Sequence, residues 1–309
     1  FDHSSWTGDI LQKALNFEYR EPVTQNTTLG VAPYKTQLLK WIGNKQRFAH
    51  EIISYFPKRF NTYHEPFLGS GAVLGVLAPR KAEASDCFEP LIEMWQCLQE
   101  SPDTLIGWYR ERWERMKAGD KKAVYEEIKS SYNKRANAAD MLFLCRSCYG
   151  GVVRFRQKDG YMSTPCGVHE PIHPTSFARR AMEWHERTKH TSFSCVGYEE
   201  ALDRARDGDV VYCDPPYSYS QAILYGAQGF SLDDLLANIE KAKKRGAFVA
   251  LSIDGSKKSG DQDCAFDWPT GLFAQETAVN VGRSMLRRFQ MSGETLESEL
   301  VKDRLLLTH

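Results

Sequence analysis

Asp214-Pro215-Pro216-Tyr217 holds the most distinctive chemistry in the chain. It follows an apolar run, Val210 to Cys213, that reads as a buried strand. Two consecutive prolines cannot continue a sheet ladder, so the strand must end in a rigid turn. There the Asp214 carboxylate and the Pro215 carbonyl can accept hydrogen bonds from an exocyclic amino group, and the Tyr217 ring can stack on a planar base. A strand-ending turn capped by Asp is the plainer reading of such a tripeptide. The aromatic residue at the fourth place and the apolar strand before it favour the chemical one. A second group is Glu65-Pro66-Phe67-Leu68-Gly69-Ser70-Gly71, a glycine-rich turn between a strand and a helix. Such a turn lets a ligand approach the backbone closely, and the helix start that follows favours polar or anionic groups. The dinucleotide pattern G-x-G-x-x-G is absent, because three residues, Ala72 to Leu74, separate Gly71 from Gly75. Asp86 ends the next short strand and can serve a ribose diol or cap the following helix. Finally, Lys40-Trp41-Ile42-Gly43-Asn44-Lys45 sets an aromatic ring and cations around a glycine. Trp41 can flank a cofactor and Lys45 can meet a carboxylate; a buried Trp beside a snorkelling Lys is the alternative.

These groups need a scaffold, and the hydrophobic periodicity supplies one. Residues 62–78 and 82–99 each read as strand, turn and helix. Residues 192–202 read as a strand running into a short helix, 232–245 as an amphipathic helix, and 246–254, 279–289 and 304–309 as strands. Residues 36–56 suit a helix interrupted by Gly43, and 1–34 a polar arm with a short helical stretch at Ile10–Phe17. Alternation at this spacing predicts a parallel α/β sheet covered on both faces. Residues 110–190 differ: 17 Lys and Arg face ten Asp and Glu, with aromatic residues interleaved. That stretch reads as a polyanion-facing module or as a helical subdomain with a solvated charged face.

Composition closes off other classes. Lys plus Arg number 40 and Asp plus Glu 40, which excludes a uniformly basic coat but not a local basic patch. No apolar run approaches a membrane span, and the first 30 residues lack a signal-peptide pattern. Eight scattered cysteines read as reduced thiols of a cytoplasmic protein. Cys145-x2-Cys148 followed by Cys166-x2-His169, with His173 nearby, has the form of a structural zinc site. Against it, residues 141–150 read as the end of an apolar helix, so no metal is expected.

The order K-W-x-G-x-K, E-P-F-x-G-x-G, an acid ending the second strand, a long insert and D-P-P-Y resembles the Dam-type (α-group) DNA adenine-N6 methyltransferases over roughly residues 36–255. The resemblance implies a Rossmann-like, S-adenosylmethionine-dependent methyltransferase sheet, with residues 35–87 and 191–309 catalytic. It implies an inserted, mainly helical target-recognition domain at 88–190. By resemblance, Trp41, Lys45, Phe67, Gly69, Gly71, Asp86 and Asp214 surround S-adenosylmethionine, which leaves as S-adenosylhomocysteine. Asp214, Pro215, Pro216 and Tyr217 then hold an adenine flipped out of double-stranded DNA. The segment from Cys145 to Arg154 is similar to the family's N-R-x-G-[YF]-N-G-x-x-R: Arg146, Tyr149, Gly151 and Arg154 match, while Cys145, Cys148 and Gly150 depart. That match implies that Arg146, Tyr149 and Arg154 contact DNA, with Tyr149 as a wedge and Arg154 reading guanine. No membrane partner is implied. A bacterial or phage-encoded enzyme, solitary or paired with a separately acting cognate restriction endonuclease, is compatible. Cytosine-N4 methylation and a non-catalytic DNA-binding protein on the same fold are the alternatives. RNA and protein-glutamine methylases of related fold usually carry Asn where this chain has Asp214, and a nicotinamide dehydrogenase would leave D-P-P-Y unexplained.

Overall fold

Each strand expected from the sequence forms as a strand. The computed structural model describes residues 30–156, 158–216, 230–254, 268–282 and 301–309. Strands β1 (Tyr63–Glu65), β2 (Ala82–Ser85), β3 (Thr191–Ser194), β4 (Val210–Cys213), β5 (Phe248–Asp254), β6 (Gln275–Gly282) and β7 (Val301–Leu307) form one seven-stranded sheet. Their order is β3-β2-β1-β4-β5-β7-β6. The pairs joining β1 to β5 are parallel, in the doubly wound order that reverses beside β1. β7 runs antiparallel to both β5 and β6. The sheet is therefore mixed rather than wholly parallel. Of the two predicted terminal strands, 279–289 begins four residues early, at Gln275, and is described only to Gly282.

Both faces of the sheet are covered, which is why its central strands read as unbroken apolar runs. Val210 and Tyr212 of β4 point into one core with Phe248 and Ala250 of β5. Val211 and Cys213 point into the other with Val249, Leu251 and Ile253, as the two-residue period requires. Helices α1 (Ala49–Ser54) and α2 (Ala72–Leu77) lie against the first face. Helices α8 (Tyr198–Arg204) and α9 (Leu232–Lys244) lie against the second.

Between β2 and β3 the chain builds α3 (Glu89–Glu100), α4 (Pro102–Ala118), α5 (Lys121–Lys134), α6 (Ala138–Ser147) and α7 (Pro174–Thr188). Asp120 and Asn137 cap α5 and α6, accepting from the backbone N–H of Ala123 and Asp140 at 2.8 Å each. Between α6 and α7 an irregular hairpin is pinned by the bridges Cys148–Cys166 and Phe155–Met162. The first core runs without a break from the sheet into these helices. Tyr34 anchors the start of the described chain to α7, donating to Glu183 Oε2 at 2.9 Å beneath the Arg187 guanidinium. The helix expected at Ile10–Phe17 lies outside the described residues.

Residues 36–56 are not one interrupted helix. Only Ala49–Ser54 is helical. Gly43 takes φ +72°, and the Asn44 side chain accepts the Gln46 N–H at 2.7 Å, a local turn that competes with helix. Among the described residues no helix is long and apolar enough to cross a membrane.

Candidate active site

The carboxyl ends of β1, β2 and β4 open into a crevice of about 290 Å³, where ligands of doubly wound sheets bind. After β1 the chain turns through Gly69 (φ +47°) and Gly71 (φ +60°) into α2. The turn needs these glycines twice over. The left-handed backbone disfavours other residues, and a Cβ on Gly69 would lie 3.2 Å from the Trp41 ring. The turn is fastened from β2: Leu68 N–H donates to the Ser85 carbonyl at 2.9 Å and Gly69 N–H to Asp86 Oδ2 at 3.0 Å. The other Asp86 oxygen accepts the Phe88 N–H at 3.1 Å. Burial raises the Asp86 carboxyl pKa above its usual range, opposed by these backbone donors.

At the end of β4, Asp214 pairs with Lys45, Oδ1 to Nζ at 3.0 Å. Lys45 is buried, so this ion pair is shielded from bulk water. Pro215 is buried and Pro216 lines the crevice. Beneath them lies Glu65, 3% exposed. Its Oε2 accepts the Tyr63 hydroxyl at 2.6 Å and the Leu74 N–H at 2.9 Å. Burial pushes its pKa up to about 8, against the pull of those two donors and with added repulsion from Asp214. Aromatic rings form the walls: Phe67 stacks on Tyr198 (centroids 5.3 Å apart) and meets Phe230 edge-on at 6.0 Å, and Trp41 lies 6.3 Å from Phe88.

Trp41, Lys45, Phe67, Gly69, Asp86, Asp214 and Pro216 thus converge on one crevice, and Gly71 closes the turn beside them. Tyr217 lies outside the described residues. Sequence reasoning passed over Glu65 as a site residue in its own right, along with Phe88, Tyr198 and Phe230. Their signal was an acidic residue at a strand end or an aromatic residue near a helix start, a weak one until the strand order is known.

The hairpin presents Tyr149, 45% exposed, and an exposed Arg154. Arg154 N–H donates to Thr164 Oγ1, and its carbonyl accepts the Ser163 N–H, both at 2.9 Å. Arg146 is a correction. It occupies the last turn of α6, a helix buried at every position but Ala139, and is 4% exposed. Its guanidinium donates to the Leu38 carbonyl and lies 5.7 Å from the Phe177 ring centroid; burial lowers its pKa. In this position it braces the segment that carries Trp41 and does not face solvent. Cys145 and Cys148 are buried, His169 is exposed, and among the described residues no three His, Cys, Asp or Glu side chains gather to hold a metal ion.

The chain is similar to DNA adenine methylase of Vibrio cholerae, 29% identical over 227 residues covering 69% of this chain and 79% of that one. It is similar to a type II methyltransferase of Lactococcus lactis subsp. cremoris, 28% identical over 235 residues (70% and 80% of the two chains). DNA adenine methylase of Serratia marcescens is 27% identical over 265 residues, 82% of this chain and 95% of its own. The model of the D12 class N6 adenine-specific DNA methyltransferases matches residues 41–268, a span that takes in the crevice, the hairpin and the D-P-P-Y turn. With that match over most of its length, the chain belongs to the D12 class N6 adenine-specific DNA methyltransferases.

Proposed function

We propose that the chain binds S-adenosylmethionine in the crevice and methylates N6 of an adenine extruded from double-stranded DNA. The observation that carries this reading is the Lys45–Asp214 pair at the mouth of β4, ending in Pro215-Pro216 beside the Gly69–Gly71 turn. The residues fit the cofactor. Besides the Glu65 carboxyl, three acids, Asp86, Glu199 and Asp214, line the crevice with six aromatic residues and Lys45, a balance suited to a cationic nucleoside. The Asp86 carboxyl accepts backbone N–H groups of Gly69, Cys87 and Phe88, and its two oxygens together keep a lone pair for a ribose hydroxyl.

The cofactor supplies an electrophilic methyl group; the chain supplies position. Adenine N6 is a weak nucleophile because its lone pair is delocalised into the ring. Hydrogen bonds from N6 to the Asp214 carboxylate and the Pro215 carbonyl favour a more tetrahedral nitrogen aimed at the methyl. Lys45 fixes the orientation of that carboxylate. Alignment of two reactants in this way can supply much of a rate enhancement without a covalent intermediate. Extrusion of the base costs a few kcal/mol. Tyr149 as a wedge and Tyr217 as a stacking face would offset that cost, at about 1–3 kcal/mol per base–aromatic contact. In this reading helices α3 to α7 and their hairpin, residues 88–190, form the target-recognition module, and Arg154 reads guanine in the major groove. The enzyme would work on DNA in a bacterial cytoplasm, alone or beside a separate restriction endonuclease of the same specificity.

The test is methyl transfer from labelled S-adenosylmethionine into unmethylated duplex DNA, followed by nucleoside mass spectrometry. N6-methyladenine is expected from the wild type. Asp214→Ala is expected to lose about a hundredfold or more in rate while still binding DNA. N4-methylcytosine as the product, or near-normal turnover by the variant, would overturn the assignment.

A further inference from the structure

The crevice and the hairpin are joined by a line of aromatic rings. Phe88 forms part of the crevice wall. Its backbone N–H is held by Asp86, the carboxylate whose other oxygen holds the glycine turn. On its far side the Phe88 ring meets Phe155 edge-on, with centroids 5.6 Å apart, inside the range where such pairs attract. Phe155 belongs to the hairpin. It bridges to the fully buried Met162 and lies 6.4 Å from Tyr132 of α5. Its neighbours Arg154 and Arg156 are exposed while Phe155 is partly buried, the alternation of an extended strand. One ring therefore points at the crevice wall from the same backbone that holds out Arg154.

We infer that Phe155 is a positioning residue that couples occupancy of the crevice to the setting of the DNA-reading hairpin. A nucleoside that engages Asp86 and packs on Phe88 holds that ring in place. Phe155 then has one seat against it, and Arg154, the adjacent residue, is presented at a defined height above the active site. The coupling is reciprocal: DNA that seats the hairpin favours the same ring arrangement and tightens the nucleoside. This inference rests on the proposed reading of the crevice and hairpin.

The experiment measures DNA affinity by titration with and without saturating S-adenosylhomocysteine, and S-adenosylhomocysteine affinity with and without DNA. Wild type is expected to bind DNA about 5- to 150-fold more tightly with the nucleoside present, the usual range of such couplings. Phe155→Leu, which keeps apolar bulk but shortens the reach to Phe88, is expected to lower that factor at least about fivefold. Its affinity for each ligand alone should change far less. Phe88→Leu and the double variant close a mutant cycle, in which the double should lose little more coupling than either single. A wild-type coupling factor retained by Phe155→Leu overturns the inference. So does an equal loss of DNA affinity with and without the nucleoside, which marks a mere prop, and so does a wild type that binds both ligands independently. Failure of the wild type to bind S-adenosylhomocysteine at all removes the functional reading itself, and this inference with it.

Discussion

Glu65 sits at the bottom of the crevice with two neutral donors and, among the described residues, no cation. Tyr63 shares its strand, and Asp214, itself paired with Lys45, faces it from β4. With a pKa of about 8 in the fold against 4.5 in an open chain, Glu65 keeps its proton where the unfolded chain has lost it. Its contribution is therefore fully present below about pH 4.5 and is lost as pH rises through 8, at up to about 1.4 kcal/mol per pH unit. Glu65→Gln keeps the shape and removes the titration. Its melting temperature should decline less than that of the wild type between pH 5.5 and 8; parallel curves would mean that Glu65 is ionised in the fold. None of this was legible in the motif. E-P-F-x-G-x-G announces an acid beside a turn, but its lack of a cationic partner depends on strands from three places in the chain. Arg146 makes the same point in reverse. The motif match identified the residue type, whereas its direction was set by α6, which buries every residue it has except Ala139.

At the scale of elements, α2 is six residues long, and Gly75 sits at its middle facing α7. A Cβ there would lie 2.3 Å from the Trp184 ring, a fully buried indole held by a 2.9 Å hydrogen bond to the Thr36 carbonyl. Alanine normally stabilises a helix interior relative to glycine by about 1 kcal/mol. Here overpacking should reverse the sign, so Gly75→Ala is expected to destabilise by about 1–3 kcal/mol in denaturant titration. A gain in stability would show that Trp184 can yield. The strands were legible because both faces of the sheet are covered, so their apolar runs needed no phase. The helix expected across residues 36–56 was not. A single hydrogen bond accepted by the Asn44 side chain and the left-handed Gly43 redirect an otherwise periodic segment.

Over the whole molecule the charges balance, yet residues 110–190 carry 17 Lys and Arg to ten Asp and Glu, on helices whose core is continuous with that of the sheet. The excess was visible in composition. The aromatic seam from Trp41 through Phe88 to Phe155 was not, because its members come from three separate segments. The same dependence of neighbours on distant sequence governs the far edge of the sheet. β7 follows β6 in the chain but lies between β5 and β6. During synthesis the chain lengthens by about 5–20 residues each second, and β6 stays without β7, its one sheet partner among the described residues, until residue 307 clears the ribosome. Until then β5 also offers an unpaired edge, the kind of surface that invites wrong pairing. Nascent chains stalled with residue 282 just outside the tunnel should be cut by protease at β6, and chains extended past residue 307 should resist. Resistance at the shorter length would contradict this order. Completion of this sheet thus waits for its last strand to emerge, with a window of exposure in which a holding chaperone would matter most.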